Sequence, residues 1–194
     1  PLVVLIVDDH AMVREGLRRA LETRKSFSIY EASSINEARA QIARVNPNLL
    51  ILDINLPDGS GLDIARWVRS LSQSVAIVIL TLNEKDEFVI AAMKAGASAF
   101  VNKSAPLADF LAAVDHALSS PGTFSAQDLA GALNRKNETF GLSQRELQIL
   151  GTLHMGQPLK ELSASLFISE STLKTHLNTI YRKLEVSNRT QAVN

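Results

Sequence analysis

Through residue 120 the apolar positions fall in short unbroken runs separated by longer segments of helical period. The runs are VVLIV (Val3–Val7), FSIYEA (Phe27–Ala32), LLIL (Leu49–Leu52), VAIVIL (Val75–Leu80) and SAFV (Ser98–Val101). Aliphatic runs without polar alternation suit strands buried on both faces, as in parallel sheets. The helical segments are Ala11–Thr23, Ile35–Val45, Gly61–Ser70, Lys85–Ala95 and Leu107–Leu118. Five β-α units in succession predict an α/β fold, a five-stranded doubly wound parallel sheet with helices on both faces.

The pattern then changes. Residues 121–140 hold turn formers around a weak helix near Gln127–Asn134 and read as a linker. From Leu142 onward only helical periods occur. Ser143 followed by Glu146 is a capping box that opens a helix carrying Leu147, Ile149, Leu150 and Leu153, with a stop near Gly156. Pro158 suits the first turn of a second helix, and Ser169 can cap a third, ESTLKTHLNTIYRKL. The division is therefore a domain over residues 1–120, a linker over 121–140 and a small all-α domain over 141–194. A last helical stretch, RTQAVN, begins as the sequence stops and reads as truncated; the opening Pro1 suggests trimming there too.

Composition narrows the chemistry. Hydrophobic residues make up 46% and charged ones 21%, enough for a real core, and the net charge is zero. Residues 1–120 carry 12 Lys and Arg against 14 Asp and Glu, and residues 121–194 carry 8 against 6. A chain-wide basic signature is absent, while the second half leans toward an anionic partner. Without Cys there is no disulfide framework, thiolate zinc site or thiol nucleophile, which fits a reducing cytoplasm. No apolar run approaches the roughly 20 residues of a membrane helix, and the first residues are too short and too acidic for a signal peptide.

Polar residues gather where the strands end. The first strand runs into Asp8-Asp9, the third into Asp53, the fourth into Thr81 and the fifth into Lys103. In a parallel sheet these ends share one edge, where open α/β folds place ligand sites. Three clustered carboxylates repel one another, and a hard divalent cation such as Mg²⁺ relieves that repulsion. Lys103 and Thr81 suit phosphoryl oxygens, and Asp53 is the candidate nucleophile of aspartyl-phosphate chemistry. Residues 1–120 resemble the receiver domain of bacterial two-component response regulators, whose sheet is flavodoxin-like. The resemblance implies that Asp53 is the phosphoacceptor and that Mg²⁺ (or Mn²⁺) binds Asp9 and Asp53 directly and Asp8 less directly. The Asn55 backbone carbonyl would complete the protein ligands. It further implies that Thr81 and Lys103 contact the phosphoryl group and that Phe100 is a switch aromatic, although a core Phe would read the same. The sequence departs from the family at Leu82, where a smaller residue is usual and access to the site is expected to narrow. Ser104 stands where Pro is frequent, and Asn55 and Asn83 flank the pocket where they can tune phosphoryl lifetime.

Projected at 3.6 residues per turn, the third helix of the second domain separates an apolar stripe, Leu173, Leu177, Ile180 and Leu184, from a polar side. That side holds Ser171, Lys174, Thr175, Asn178 and Arg182 and no carboxylate. Lys and Arg favour guanine and Asn favours adenine in the major groove, so the two helices read as a helix-turn-helix. Lys183 and Arg189 flank this face as candidates for phosphate contacts. The wording LSQRELQIL…KELSASLFISESTLKTHLNTIYRKLEVSNRTQAV resembles the LuxR-type DNA-binding domain over nearly all of residues 140–194. That resemblance implies base contacts from Lys174, Thr175 and Asn178. Backbone contacts would come from Ser169, Ser171, Thr172, Lys183, Asn188 and Arg189. Ser163 replaces a common Ala, tolerable if its hydroxyl bonds back to the helix.

Together the halves resemble a response regulator of the NarL/FixJ type. The implied partners are a sensor histidine kinase, double-stranded DNA with an inverted repeat, and a second copy of the chain when active. The implied location is cytoplasmic, and no catalytic turnover is expected beyond self-phosphorylation from a phosphodonor and slow autodephosphorylation. Two rivals remain at this point: a DNA-binding regulator controlled without phosphorylation, and an aspartyl-phosphate phosphohydrolase. The latter would want a carboxylate at position 55, which holds Asn55.

Overall fold

The computed structural model describes residues 1–23, 26–83, 85–138, 140–153, 156–189 and 192, in two compact units, 1–132 and 133–194. The first unit runs β1 (Leu2–Val7), α1 (Ala11–Glu22), β2 (Phe27–Ala32), α2 (Ile35–Val45) and β3 (Leu49–Leu52). A small hairpin follows, β4 (Asn55–Leu56) and β5 (Gly59–Ser60), then α3 (Gly61–Leu71), β6 (Ala76–Thr81) and α4 (Asp86–Lys94). β7 (Ala99–Asn102), α5 (Leu107–Ser119) and β8 (Ser125–Ala126) complete it, and α6 (Leu129–Glu138) runs across the division.

The main sheet has the order β2-β1-β3-β6-β7-β8 with every neighbouring pair parallel. Alternation along the strands divides the core between two faces. Leu5, Val7, Leu50, Leu52, Ile77 and Ile79 pack with Ala38 of α2, Leu62, Ile64 and Ala65 of α3, and Val89 and Ala92 of α4. Val4, Ile6, Leu49, Ile51, Val78 and Leu80 pack with Leu21 of α1 and Phe110, Val114 and Ala117 of α5. All four residues of β3 and all six of β6 are buried, as their unbroken apolar runs require. Each Leu or Ile so covered contributes about 1.5–3 kcal/mol of transfer free energy.

The expected five-stranded sheet has a sixth strand, a correction. The start of the expected linker, Ser125–Ala126, lies beside β7, with Ala126 opposite Phe100. The turn before it is fastened: Ser98 Oγ donates to the Pro121 carbonyl at 2.6 Å and Ser125 N to the Ser98 carbonyl at 3.0 Å. Phe124, Ala126 and Leu129 then pack on the first core face. The strand covers an otherwise open sheet edge, and two residues are too few to leave a period in the sequence.

In the second unit α7 (Gln144–Leu153), α8 (Leu159–Ser165) and α9 (Glu170–Lys183) enclose Leu142, Ile149, Leu153, Leu162, Leu166, Leu173, Leu177 and Ile180. The capping box is reciprocal: Ser143 N donates to Glu146 Oε2 at 2.7 Å and Glu146 N to Ser143 Oγ at 3.2 Å. Gly156 has φ +70°, suited to a residue without Cβ. Buried Ser163 donates its hydroxyl to the Lys160 carbonyl at 2.9 Å, which satisfies it without a distant partner. The RTQAVN stretch lies outside the described residues apart from 189 and 192. Among the described residues no helix is long and apolar enough to cross a membrane.

Candidate functional site

The parallel register delivers Asp8, Asp53, Thr81 and Lys103 to one edge of the sheet. Asp53 N donates to the Val7 carbonyl at 2.9 Å, Asp8 N to the Ala32 carbonyl at 3.1 Å, and Lys103 N to the Thr81 carbonyl at 2.9 Å. Asp8, Asp53 and Thr81 are all buried. Gly61 lets α3 begin against the Asp53 backbone, because a Cβ there would collide with the Asp53 carbonyl oxygen.

Lys103 Nζ bridges two carboxylates, 2.6 Å from Asp8 Oδ2 and 2.7 Å from Asp53 Oδ2. Burial by itself would lower the Lys103 ammonium, but the hydrogen bonds and charges of Asp53 and Asp8 outweigh it and hold the pKa above the usual lysine value. Among the described residues Asp53 Oδ1 accepts one long hydrogen bond, 3.4 Å from Asn55 N. Thr81 Oγ1 accepts from Asn83 N at 3.3 Å. Asp9 is partly exposed, and donor atoms of Asp8, Asp9, His10 and Asp53 all lie within 4.8 Å of one another. Three carboxylates and an imidazole at that spacing fit a divalent cation.

Phe100 is buried in the first core face, opposite Ala126 of β8. Leu82 is 73% exposed in the β6–α4 loop. Ser104 N and Oγ both donate to Asn102 Oδ1, at 2.6 and 2.7 Å, which tightens the turn after Lys103.

Several supporting residues had escaped the sequence reading. Arg14 Nη1 donates to the Asp8 carbonyl at 2.7 Å while its Nε meets Glu31 Oε2 at 2.9 Å, tying the β1–α1 turn to β2. Burial alone would raise the Glu31 carboxyl; hydrogen bonds from Arg14 and Arg18 outweigh that and hold it below the usual range. Asp58, in the β4–β5 turn, accepts from Ile35 N at 2.7 Å and Asn36 N at 3.0 Å, so it caps α2 from a distance. The Ile35 hydrogen bond is the main reason its pKa is lowered. These partners are 17 and 23 positions away in sequence, beyond any local motif.

On α9 the expected face is present. Ser171, Lys174, Thr175, Asn178 and Arg182 are exposed, opposite buried Leu173, Leu177 and Ile180. Ser169 Oγ accepts from Thr172 N at 3.0 Å and lies 2.8 Å from Thr172 Oγ1, so these two hydroxyls serve the helix cap. Thr175 Oγ1 donates back to the Ser171 carbonyl at 3.1 Å. Asn188 is exposed beyond the helix.

Two residues expected at phosphates have partners within the domain. Lys183 Nζ meets buried Glu146 Oε2 at 2.7 Å. Arg189 donates through Nε and Nη2 to the Leu153 carbonyl, at 3.0 and 2.6 Å, and through Nη1 to the Gln157 carbonyl at 2.7 Å. The guanidinium fork thus reaches the carbonyl of the last residue of α7 and that of Gln157 just before α8.

The family described as "Response regulator receiver domain" matches residues 4–115, and "Bacterial regulatory proteins, luxR family" matches residues 141–194. The chain belongs to the response regulators that join a receiver domain to a LuxR-type DNA-binding domain. It is 30% identical to the response regulator protein VraR of Staphylococcus saprophyticus, covering 100% of this chain and 95% of that protein. Against the DNA-binding transcriptional activator DevR/DosR of Mycobacterium tuberculosis the identity is 31%, over 97% and 91%. The crystal structure of ChrA, a response regulator of a heme-sensing two-component system, superposes with a TM-score of 0.58 at 34% identity, over 99% of this chain and 94% of that one.

Proposed function

We propose that this chain is a cytoplasmic bacterial transcription factor whose DNA binding is switched by phosphorylation of Asp53 from a sensor histidine kinase. The observation that carries the reading is the Asp53 carboxylate, buried, with one oxygen on Lys103 and the other held, among the described residues, only by a long hydrogen bond. Asp53 Oδ1 is thus the nucleophilic oxygen. It attacks the phosphorus of a phosphohistidine; the P–N bond breaks with its electron pair returning to the imidazole nitrogen, and a mixed anhydride forms on Asp53.

Asp9, Asp53, Asp8 and the Asn55 carbonyl would hold Mg²⁺ or Mn²⁺, which would supply charge neutralisation for the transferring phosphoryl oxygens. Lys103 exchanges its carboxylate contacts for a phosphoryl oxygen. Thr81 accepts from Asn83 N, so its own O–H proton is available to donate to the same group. Phe100 is the aromatic that would register that movement of Thr81, across the adjacent strands β6 and β7. Two phosphorylated copies then pair and set their α9 helices in an inverted repeat, with Lys174, Thr175 and Asn178 at base edges. Ser169, Ser171, Thr172, Arg182 and Asn188 lie along the backbone in this reading. The chain acts as a switch and not as an enzyme, since position 55 offers no carboxylate acid or base.

Intact mass after incubation with acetyl phosphate and Mg²⁺ tests the reading. A single phosphoryl gain is expected, absent from Asp53→Asn. No gain in the wild-type protein would remove phosphorylation from the mechanism and favour control of the receiver through another signal.

A further inference from the structure

His10 lies at the pocket but has no part in the function just proposed. It is the N-cap residue of α1, yet its side chain makes no capping hydrogen bond. Its Nδ1 turns to the acidic cluster instead, 2.7 Å from Asp9 Oδ1 and 3.2 Å from Asp8 Oδ1. The Asp8 oxygen it meets is the one Lys103 leaves, because Lys103 occupies Oδ2. The backbone fixes this arrangement as well: His10 N donates to Asp8 Oδ1 at 2.9 Å.

We propose that His10 is itself a ligand of the pocket's cation, through Nδ1, and biases the site toward Mn²⁺ over Mg²⁺. The inference rests on the metal-dependent reading above and adds an imidazole donor to it. In an octahedron with bonds of about 2.1 Å, neighbouring ligand atoms stand roughly 3.0 Å apart and opposite ones roughly 4.2 Å. The His10 separation from Asp9, 2.7 Å, is near that of neighbouring vertices. The 4.8 Å limit on all four donors lets the remaining vertices close with small movements.

Coordination through Nδ1 requires the proton to sit on Nε2. The His10 side chain is 66% exposed, so water can solvate that N–H, and the tautomer carries little penalty. Carboxylate and water ligands serve Mg²⁺ and Mn²⁺ alike, whereas imidazole favours first-row transition ions. The added nitrogen therefore changes the preference between the two cations more than it changes the capacity to bind one.

The test uses the full chain with Mn²⁺ and Mg²⁺ as the probes, beside His10→Ala and His10→Gln. Thermal unfolding in EDTA first checks that the variants fold. Pulsed electron paramagnetic resonance of bound Mn²⁺ is expected to show coupling to a directly bound imidazole nitrogen, lost in both variants. Calorimetric titration is expected to show Mn²⁺ affinity falling about tenfold or more in the variants while Mg²⁺ affinity moves less than about twofold. Bound Mn²⁺ without nitrogen coupling, or equal weakening for both ions, would overturn the ligand assignment and leave His10 as a residue that orients Asp9. Failure of the wild-type chain to bind either ion would overturn the metal-dependent reading along with it.

Discussion

Lys103 in the receiver and Lys183 in the DNA-binding domain each place an ammonium against a buried carboxylate, both at 2.7 Å, from Asp53 Oδ2 and Glu146 Oε2. Their surroundings differ. Lys103 is 8% exposed and shared between two acids that border a cluster of further ligands. Lys183 is 32% exposed and meets one acid, whose other work is to cap α7. On the function proposed above, the first pair holds a place for incoming charge and must be able to come apart. The second fastens the end of α9 to the start of α7. A lysine–carboxylate pair is thus a switch or a fastener according to what else the carboxylate can bind.

The largest effect expected from breaking this contrast is at Lys103. Lys103→Met leaves Asp8 and Asp53 buried without an internal cation, a loss on the order of 3 kcal/mol in receiver stability when no metal is present. Millimolar Mg²⁺ is expected to restore most of it, because the ion takes over the neutralisation. Thermal unfolding of the full chain with and without Mg²⁺ measures both terms. A loss that Mg²⁺ does not restore would mean that the pocket depends on Lys103 for more than charge.

The next effect separates the exposed lysine of α9 from the paired one. Lys174→Ala is expected to weaken binding to the cognate site by about 10- to 100-fold, equivalent to roughly 1–3 kcal/mol for a lost base contact. Lys183→Met should shift DNA affinity by no more than about twofold, as for a change outside the contact surface. Its cost should appear in the helical domain's own unfolding transition, about 1 kcal/mol and independent of Mg²⁺, since the pair is partly screened by water. Fluorescence anisotropy on a labelled operator and calorimetry of the same two variants place each lysine. Lys183→Met weakening DNA as strongly as Lys174→Ala would return Lys183 to the phosphate-contacting set.

What the sequence makes legible follows from the range of the forces involved. The α/β alternation, the reading face of α9 and the convergence of Asp8, Asp9, Asp53, Thr81 and Lys103 all come from local periods and strand ends, and they could be read directly. The sixth strand left no trace because Ser125–Ala126 is too short to show a period; its place is set by Ser98 and Phe100, in a different part of the chain. The inward turn of Arg189 was equally hidden, since its acceptors are carbonyls at positions 153 and 157, and a carbonyl looks the same at every residue. Within the pocket itself, His10 stood beside Asp9 in plain view. What the sequence lacked was the direction of its ring, which depends on how β1 passes into α1.

The smallest expected effect concerns acid, and it distinguishes the fastener from the switch without touching either lysine. Burial by itself would raise the Glu146 carboxyl, but hydrogen bonds from Lys183 and Ser143, with the lysine charge, outweigh it and lower the pKa in the folded domain. The unfolded chain binds a proton at the ordinary glutamate value, near 4.3. Stability from this group is therefore fully present above about pH 4.3 and is lost as pH falls through the lower folded pKa. The helical domain's unfolding temperature should begin to drop below that point. In Glu146→Gln, which keeps the cap's shape but cannot titrate, the same domain should start less stable at pH 7 and show a shallower fall toward pH 3. Equal slopes in the two proteins would mean that acid acts on other carboxylates, and the Glu146–Lys183 contact would then be a matter of position with little electrostatic weight.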